Sequence, residues 1–202
     1  MWGKTGINIF IMISGYFMCR SKLTVKRYCK VLFEYLFYLF VIYFTLLFMG
    51  YEVFNVARIN DLLFGVFKYA NVSGNFLGSF FMFYLFIPFI NKFIHQLTKA
   101  EFRNLILLLL FVFTILSTVF FNIFVFGEIF WFIAIYLIGA YLKLYPPTWA
   151  NSLKASRNLL ILSLIVSYAS VVLMVIKEQF MYTFYFVIDA NKLGAVLVSI
   201  FM

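Results

Sequence analysis

The chain has 202 residues, of which 66% are hydrophobic and only 11% are charged, and its formal net charge is +9. A soluble domain keeps roughly a quarter of its residues charged, so this composition excludes an ordinary water-soluble fold and predicts a protein that is solvated by a bilayer. In such a protein, excess positive charge is typical of cytoplasmic loops, and we expect lipid rather than nucleic acid around it.

Long apolar runs predict an all-α fold, a polytopic transmembrane helix bundle of about six complete spans and one truncated span. The complete spans are predicted at Thr5–Cys19, Val31–Gly50, Phe76–Ile94, Leu105–Phe126, Ile129–Tyr145 and Asn158–Ile176. The truncated span starts near Leu193 and stops at Met202. We expect a single integral membrane domain over residues 1–202, with a kink at Pro88 in the third span.

Two shorter segments have an ambiguous pattern. Asp61–Tyr69 has apolar residues at helical spacing, which predicts a helix that either lies along the membrane interface or extends the next span. Gln179–Ile188 is a short aromatic segment of the same kind.

The loops predict how the chain is oriented. Eleven of the 16 lysines and arginines fall in the alternate loops 20–30, 91–104 and 143–157. By the positive-inside rule these loops are cytoplasmic in the cell membrane, and the N-terminus of the chain lies outside. Cys19 and Cys29 bracket the first of these loops, where we expect reduced thiols and no metal site.

The first span contains polar residues that need partners. Asn8, Ser14 and Gly15 interrupt an otherwise apolar helix, and an unpaired amide in hydrocarbon costs several kcal/mol. One interpretation is packing between helices through small and polar residues. The other is that Asn8 and Ser14 line a ligand pocket.

A basic cluster opens the second span. Arg27 and Lys30 are three residues apart, so they share a helix face and can clamp a phosphate together. Glu34 lies four residues after Lys30 and can pair with it. The alternative interpretation is a positive anchor whose side chains extend to the interface.

Four segments resemble, in the right order, motifs of the bacterial membrane acyltransferase-3 family, whose members O-acylate surface polysaccharides, peptidoglycan and other glycans. Gly6–Phe17 resembles the signature G-V-(D/N)-(L/I)-F-F-x-(L/I)-S-G-(Y/F), and Arg27–Lys30 resembles an Arg-x-x-Arg element with Lys in the second place. Phe83–Lys92 is similar to the family's tyrosine-rich span, and Trp131–Tyr141 to its W-F-x-x-x-Y-L-x-G-x-Y stretch.

The chain also departs from the family pattern. The resemblance implies a bundle of about ten helices, with an Arg and a His on a helix ahead of Gly6. That helix is absent here, and we expect a fragment, incomplete at both ends and inactive alone. The usual W-Y-L opening of the tyrosine-rich span stands here as Asn75–Leu77, and His95 is expected to be an interfacial residue.

The resemblance implies transfer of an acyl group, usually acetyl, from cytoplasmic acyl-CoA to a hydroxyl of a cell-surface or exopolysaccharide glycan. It implies no bound cofactor, and it leaves the catalytic base and the oligomeric state unknown, since Glu34 and Glu128 lie near span ends. The residues it assigns are Arg27 and Lys30 for acyl-CoA binding and Asn8, Ser14 and Tyr84 for lining the pocket. The alternative is a non-enzymatic membrane protein, such as a glycan flippase or a transporter subunit, which would carry charged residues along several spans.

Overall fold

The computed structural model of the chain describes residues 3–21, 24–68, 76–119, 127–177, 187 and 189–202. Within these ranges the chain forms helices and no strand, which confirms the predicted all-α fold. The helices are α1 (Gly3–Met18), α2 (Val25–Phe48), α3 (Val56–Lys68), α4 (Phe76–Ile94), α5 (Lys99–Val119), α6 (Glu128–Leu144), α7 (Leu153–Ile176) and α8 (Leu193–Phe201).

Four of the described helices, α2, α4, α5 and α7, are long and apolar enough to cross a membrane by length and composition. Two further predicted spans correspond to α1, with 16 residues, and α6, with 17. The length of α6 lies at the lower limit of what a bilayer requires, and α1 is just shorter than that limit. The predicted bundle of membrane helices is therefore confirmed, and the truncated last span corresponds to α8.

Several helices begin earlier than the apolar runs predicted. The helix α5 starts at Lys99 because Thr98 and Glu101 form a capping box: the Thr98 hydroxyl accepts from the Glu101 amide, and the Glu101 carboxylate accepts from the Thr98 amide at 2.8 Å. Likewise α7 starts at Leu153, where the hydroxyl of Ser152 accepts from the amide of Ala155.

The ambiguous segment after α2 forms the helix α3 as far as Lys68, the last described residue before α4. Its start is capped by Asn55, whose side-chain oxygen accepts from the amide of Ala57 at 2.8 Å. An ion pair of 3.3 Å joins Lys68 to Asp61 on its exposed face. The segment Gln179–Ile188 lies almost wholly outside the described residues, as do Asn75 and the end of the fourth predicted span.

Two helices contain internal irregularities. The helix α4 continues through Pro88. The helix α5 contains a π-helical segment, Phe111–Leu116, which the sequence did not predict. Such segments widen a helix and are frequent at functional sites.

The chain divides into two compact units. The larger unit consists of residues 1–20, 93–126 and 130–202, and the smaller unit of residues 21–92 and 127–129. Thus α1, α5, α7, α8 and nearly all of α6 belong to the larger unit, whereas α2, α3 and most of α4 form the smaller one.

Large apolar side chains are exposed on α2. Phe37, Phe44 and Phe48 have exposed fractions of 63%, 50% and 92%. A continuous apolar surface of this kind is unfavourable in water but is the normal exterior of a helix in lipid. The surface is therefore consistent with the membrane solvent that the composition predicts.

Candidate functional site

In the larger unit, α1 and α6 cross with their backbones in direct contact. A Cβ atom added at Gly15 would collide with the backbone carbonyl of Tyr136, and one added at Gly139 would collide with the carbonyl of Met12. The two contacts are reciprocal, since each glycine meets the carbonyl three residues before the other. Small residues allow membrane helices to approach this closely. This crossing joins two of the four segments that carry the family resemblance.

The same two helices share a buried hydrogen-bond network around Asn8, whose side chain is 1% exposed. The Asn8 side-chain oxygen accepts from the Trp131 indole at 2.9 Å, and its amide nitrogen donates to the Ala190 carbonyl at 2.7 Å. Asn8 therefore has the partners that its place in an apolar helix requires. The network holds α1 against α6 and against the turn that precedes α8, and pocket lining by Asn8 stays a prediction.

Ser14 makes only a local bond. Its hydroxyl donates to the carbonyl of Phe10, one turn earlier, at 2.9 Å, and its side chain is half-buried. This back-bonding satisfies the hydroxyl within its own helix. A role of Ser14 in a pocket likewise stays a prediction.

The far end of the α1–α6 pair is basic. The ammonium of Lys143 lies 4.5 Å from the ring centroid of Tyr16, within the range of a cation–π contact. The Nε2 atom of His95 lies 3.0 Å from the carbonyl oxygen of Cys19. We therefore refer to the end of the larger unit that contains Lys143 as its basic end and to the end that contains Asn8 as its polar end.

The contacts also fix helix directions in the larger unit. The helices α1 and α6 run in the same direction, from the polar end to the basic end. Asn8 bonds to Trp131 near the start of both helices, and Tyr16 contacts Lys143 near their ends. The helix α5 runs oppositely, because Phe102 packs on Tyr141 near the basic end and Phe113 packs near Trp131. These directions agree with the alternation of spans that the loop charges predict.

The basic cluster of the smaller unit lies in the first turns of α2. Arg27 and Lys30 are exposed and share one face of the helix, as predicted. The ammonium of Lys30 lies 3.8 Å from the Glu34 carboxylate, which confirms the predicted pair. Both side chains are more than half exposed, so this pair contributes little to stability. Among the described residues, Arg27 makes no ion pair.

Tyr84 is adjacent to this cluster. Its side chain is 7% exposed, and its ring stacks on that of Tyr28, with centroids 5.9 Å apart and planes at 29°. Tyr28 also meets Phe81 edge-on at 6.2 Å. The residue between the two predicted cations therefore points its ring onto α4 and fixes the first turn of α2, which leaves Arg27 and Lys30 on the exposed side.

One polar group was missed by the sequence analysis. The four residues Asp189–Lys192, which we call the 189–192 turn, bond to both α1 and α5. The sequence signal was a run of polar residues directly before an apolar helix.

Cysteine labelling tests the predicted orientation. Cys29 is half-buried, whereas Cys19 is 1% exposed and lies just beyond α1. Because its side chain is almost fully buried, the Cys19 thiol has little contact with a reagent in water. We expect a membrane-impermeant maleimide to label Cys29 in inverted vesicles, to leave it unlabelled in intact cells, and to react poorly with Cys19 in both.

The matched control for this experiment is Val53→Cys, at a position that is 83% exposed in the loop after α2. The introduced thiol is expected to be labelled in intact cells. If intact cells instead labelled Cys29 and spared the thiol introduced by Val53→Cys, the orientation would be reversed.

The described helices, with their apolar exterior and polar interior network, define a polytopic α-helical membrane protein. A family model described as an acyltransferase domain, that of acyltransferase family 3, matches residues 1–202. The chain belongs to this family. Comparison with curated proteins and with solved structures found no match.

Proposed function

We propose that this acyltransferase-family membrane protein takes an acyl group, typically acetyl, from cytoplasmic acyl-CoA and transfers it to a hydroxyl of a cell-surface or exopolysaccharide glycan. Family membership supports an acyltransferase-type activity. The family resemblance implies acyl-CoA as the donor, and one observation supports that choice: the exposed cations at the start of α2.

The positive end of the α2 dipole repels these cations, and a bound anion would offset that repulsion. Lys26, Arg27 and Lys30 lie in the first turns of α2, and the N-terminus of a helix carries a partial positive charge. Lys26 and Arg27, in the first turn, each oppose the helix dipole by about 0.3–1 kcal/mol. Within the described residues, the side chain of Thr24 makes no capping bond. The amides of Val25 and Lys26 are therefore available to an anion, whereas the Arg27 amide already donates to the Thr24 carbonyl at 2.9 Å.

The phosphates of acyl-CoA match this arrangement. A helix N-terminus with free amides binds phosphate, and the planar guanidinium of Arg27 can donate two parallel hydrogen bonds to phosphate oxygens. Lys30 lies one turn further along the same face and can neutralise a second phosphate group. The buried ring of Tyr84, stacked on Tyr28, keeps the backbone that carries these groups in place.

Transfer to a hydroxyl further requires a base and a stabilised oxyanion. We assign donor binding to Arg27 and Lys30 and no catalytic base. The flippase or transporter alternative requires charged residues along several spans, and the family match favours the acyltransferase instead.

Acetyl-CoA binding by an Arg27→Ala variant tests the proposal. A charge-assisted hydrogen bond contributes about 1.5–3 kcal/mol, so we expect the variant to bind about tenfold or more weakly than wild type. The measurement is isothermal titration calorimetry on protein in nanodiscs of neutral lipid. Lys30→Arg, which restores the family's second arginine, is expected to bind as well as wild type or better.

Arg103→Ala is the matched control, because Arg103 is also an exposed arginine in a predicted cytoplasmic segment but lies on α5. It is expected to bind acetyl-CoA as wild type does. If Arg27→Ala and Arg103→Ala bind equally well, and Arg27→Ala only weakens association with anionic lipid, the cluster is a membrane anchor and not a donor site.

A further inference from the structure

In the smaller unit, the chain reverses its direction where α2 ends. Gly50 has a φ of +77°, the left-handed conformation that glycine adopts after a helix, and its amide donates to the Leu47 carbonyl at 3.1 Å. The amide of Asn55, the residue before α3, then donates to the hydroxyl of Tyr43 at 3.3 Å. Since Tyr43 lies well before the end of α2 at Phe48, the chain has already turned back beside α2 where α3 begins.

The end of α3 lies further back along α2. The ring of Phe67 packs on that of Phe81 in α4, with centroids 6.3 Å apart. Phe81 also contacts Tyr35 at 5.6 Å and Tyr28 at 6.2 Å, so it lies between the levels of these two residues. Along α2, Tyr35 is about 12 Å from Tyr43. The helix α3, with 13 residues, therefore runs opposite to α2 and covers about this depth.

These contacts place α3 beside the apolar part of α2. The helix α2 is long and apolar enough to cross a membrane, and Tyr35 and Tyr43 both lie within its predicted span, Val31–Gly50. In a bilayer that α2 crosses, α3 is inserted next to it. The contacts therefore favour a helix that is inserted toward α4 over one that lies flat along the membrane interface.

The helix α3 has three sides. The first packs against the protein and contains the buried or half-buried residues Ile59, Leu62 and Val66. The second is apolar and exposed, and it contains Val56, Leu63 and Phe64. The third, which we call the polar side of α3, contains Arg58, Asp61, Gly65 and Lys68. Because its members are three or four residues apart, the polar side forms one continuous stripe.

The charges of the polar side are paired but exposed. The ammonium of Lys68 lies 3.3 Å from the Asp61 carboxylate, and both side chains are more than half exposed. Arg58 pairs with Glu52 at 3.9 Å. Charged side chains at membrane depth face either the interior of a helix bundle or a water-filled cavity. Since Lys68 and Asp61 are exposed in the described part of the chain, the second environment fits them.

We propose that the polar side of α3 lines a water-filled crevice, which opens beside the C-terminal end of α2 and reaches the depth of Lys68. The partner of this surface is water, whereas lipid covers the exposed apolar side. Each ion pair is neutral, so the crevice favours neither anions nor cations among dissolved solutes. The predicted orientation places its opening outside. This inference does not depend on the proposed function, since it uses no residue assigned to donor binding.

Spin labels on introduced cysteines test the crevice, in protein whose native cysteines are removed by Cys19→Ala and Cys29→Ala. Gly65→Cys puts a label on the polar side, where among the described residues nothing lies within 4 Å of an added Cβ atom. Leu63→Cys puts a label on the exposed apolar side, about 3 Å away along the helix axis. By electron paramagnetic resonance in lipid vesicles, we expect the first label to collide severalfold more often than the second with a water-soluble nickel complex. The second label should collide more often with oxygen, which dissolves preferentially in lipid.

The same method measures depth. Val56→Cys and Leu63→Cys label the same side of α3, two turns apart, so an inserted helix puts the second label about 7–10 Å deeper. Phe44→Cys, exposed on α2, gives the value for lipid, and Val53→Cys, in the loop after α2, gives the value for water. Equal depths at Val56 and Leu63 would overturn the proposal, because they describe a helix that lies flat. Equal nickel accessibility at Gly65 and Leu63 would also overturn it, because α3 would then have the same solvent on both sides.

Discussion

A Gly15→Ala variant is expected to lose about 3 kcal/mol or more of folding stability. The added Cβ atom would collide with the backbone carbonyl of Tyr136, and a backbone atom of a packed helix cannot rotate away as a side chain can. Gly139→Ala is expected to behave in the same way, since its Cβ atom would collide with the carbonyl of Met12. Thermal unfolding in mild detergent measures both.

Gly6→Ala is the matched control on the same helix, because among the described residues nothing lies within 4 Å of the atom it adds. Alanine has a helix propensity about 1 kcal/mol better than glycine, so this variant should be as stable as wild type or slightly more stable. If Gly15→Ala and Gly6→Ala have equal melting temperatures, α1 and α6 do not cross at Gly15 and Gly139.

An Asn8→Leu variant is expected to lose about 2–4 kcal/mol, because it leaves two buried groups without a partner. These groups are the Trp131 indole N–H and the Ala190 carbonyl. Trp131→Phe removes one of the two bonds, and the double variant should lose less than the sum of the single losses, with a coupling of about 1 kcal/mol. Ser14→Ala removes only a bond within α1 and is expected to stay within about 0.5 kcal/mol of wild type.

This series also separates the two interpretations of Asn8. If Asn8 only lined a pocket, Asn8→Leu would weaken ligand binding while the melting temperature stayed at the wild-type value and no coupling to Trp131 was measured. The structure predicts instead that Asn8→Leu lowers the melting temperature. Any loss of ligand binding would then follow from the displacement of α1.

The apolar runs were enough to predict the helices, because a bilayer requires a length of apolar chain that few other folds use. The apolar runs did not predict where the helices begin, because the first turn of a helix often contains polar residues that lie outside the apolar run. At α5 a local signal existed: Thr98 and Glu101 have the spacing of a capping box and would have moved the start to Lys99.

The hydrogen-bond partners of the polar side chains were harder to predict from the sequence. The need of Asn8 for a partner followed from its place in an apolar helix, but Trp131 lies 123 residues away in the chain. Likewise, the bonds to the irregular part of α5 come from far along the chain: Asn191 donates to the Phe113 carbonyl inside the π-helical segment, and Lys192 donates to the Ser117 carbonyl directly after it. The pairing of Lys30 with Glu34 was predictable because both lie on one helix.

The most direct test of the proposed activity is the content of base-labile acetyl groups on the cell-surface glycans of the parent organism, with and without the gene that encodes this chain. We predict that deletion lowers this content and that the wild-type gene restores it. The Arg27→Ala gene should restore less, and the Arg103→Ala gene should restore it fully. Unchanged acetyl content after deletion would contradict transfer to a cell-surface glycan, and full restoration by Arg27→Ala would contradict donor binding at α2.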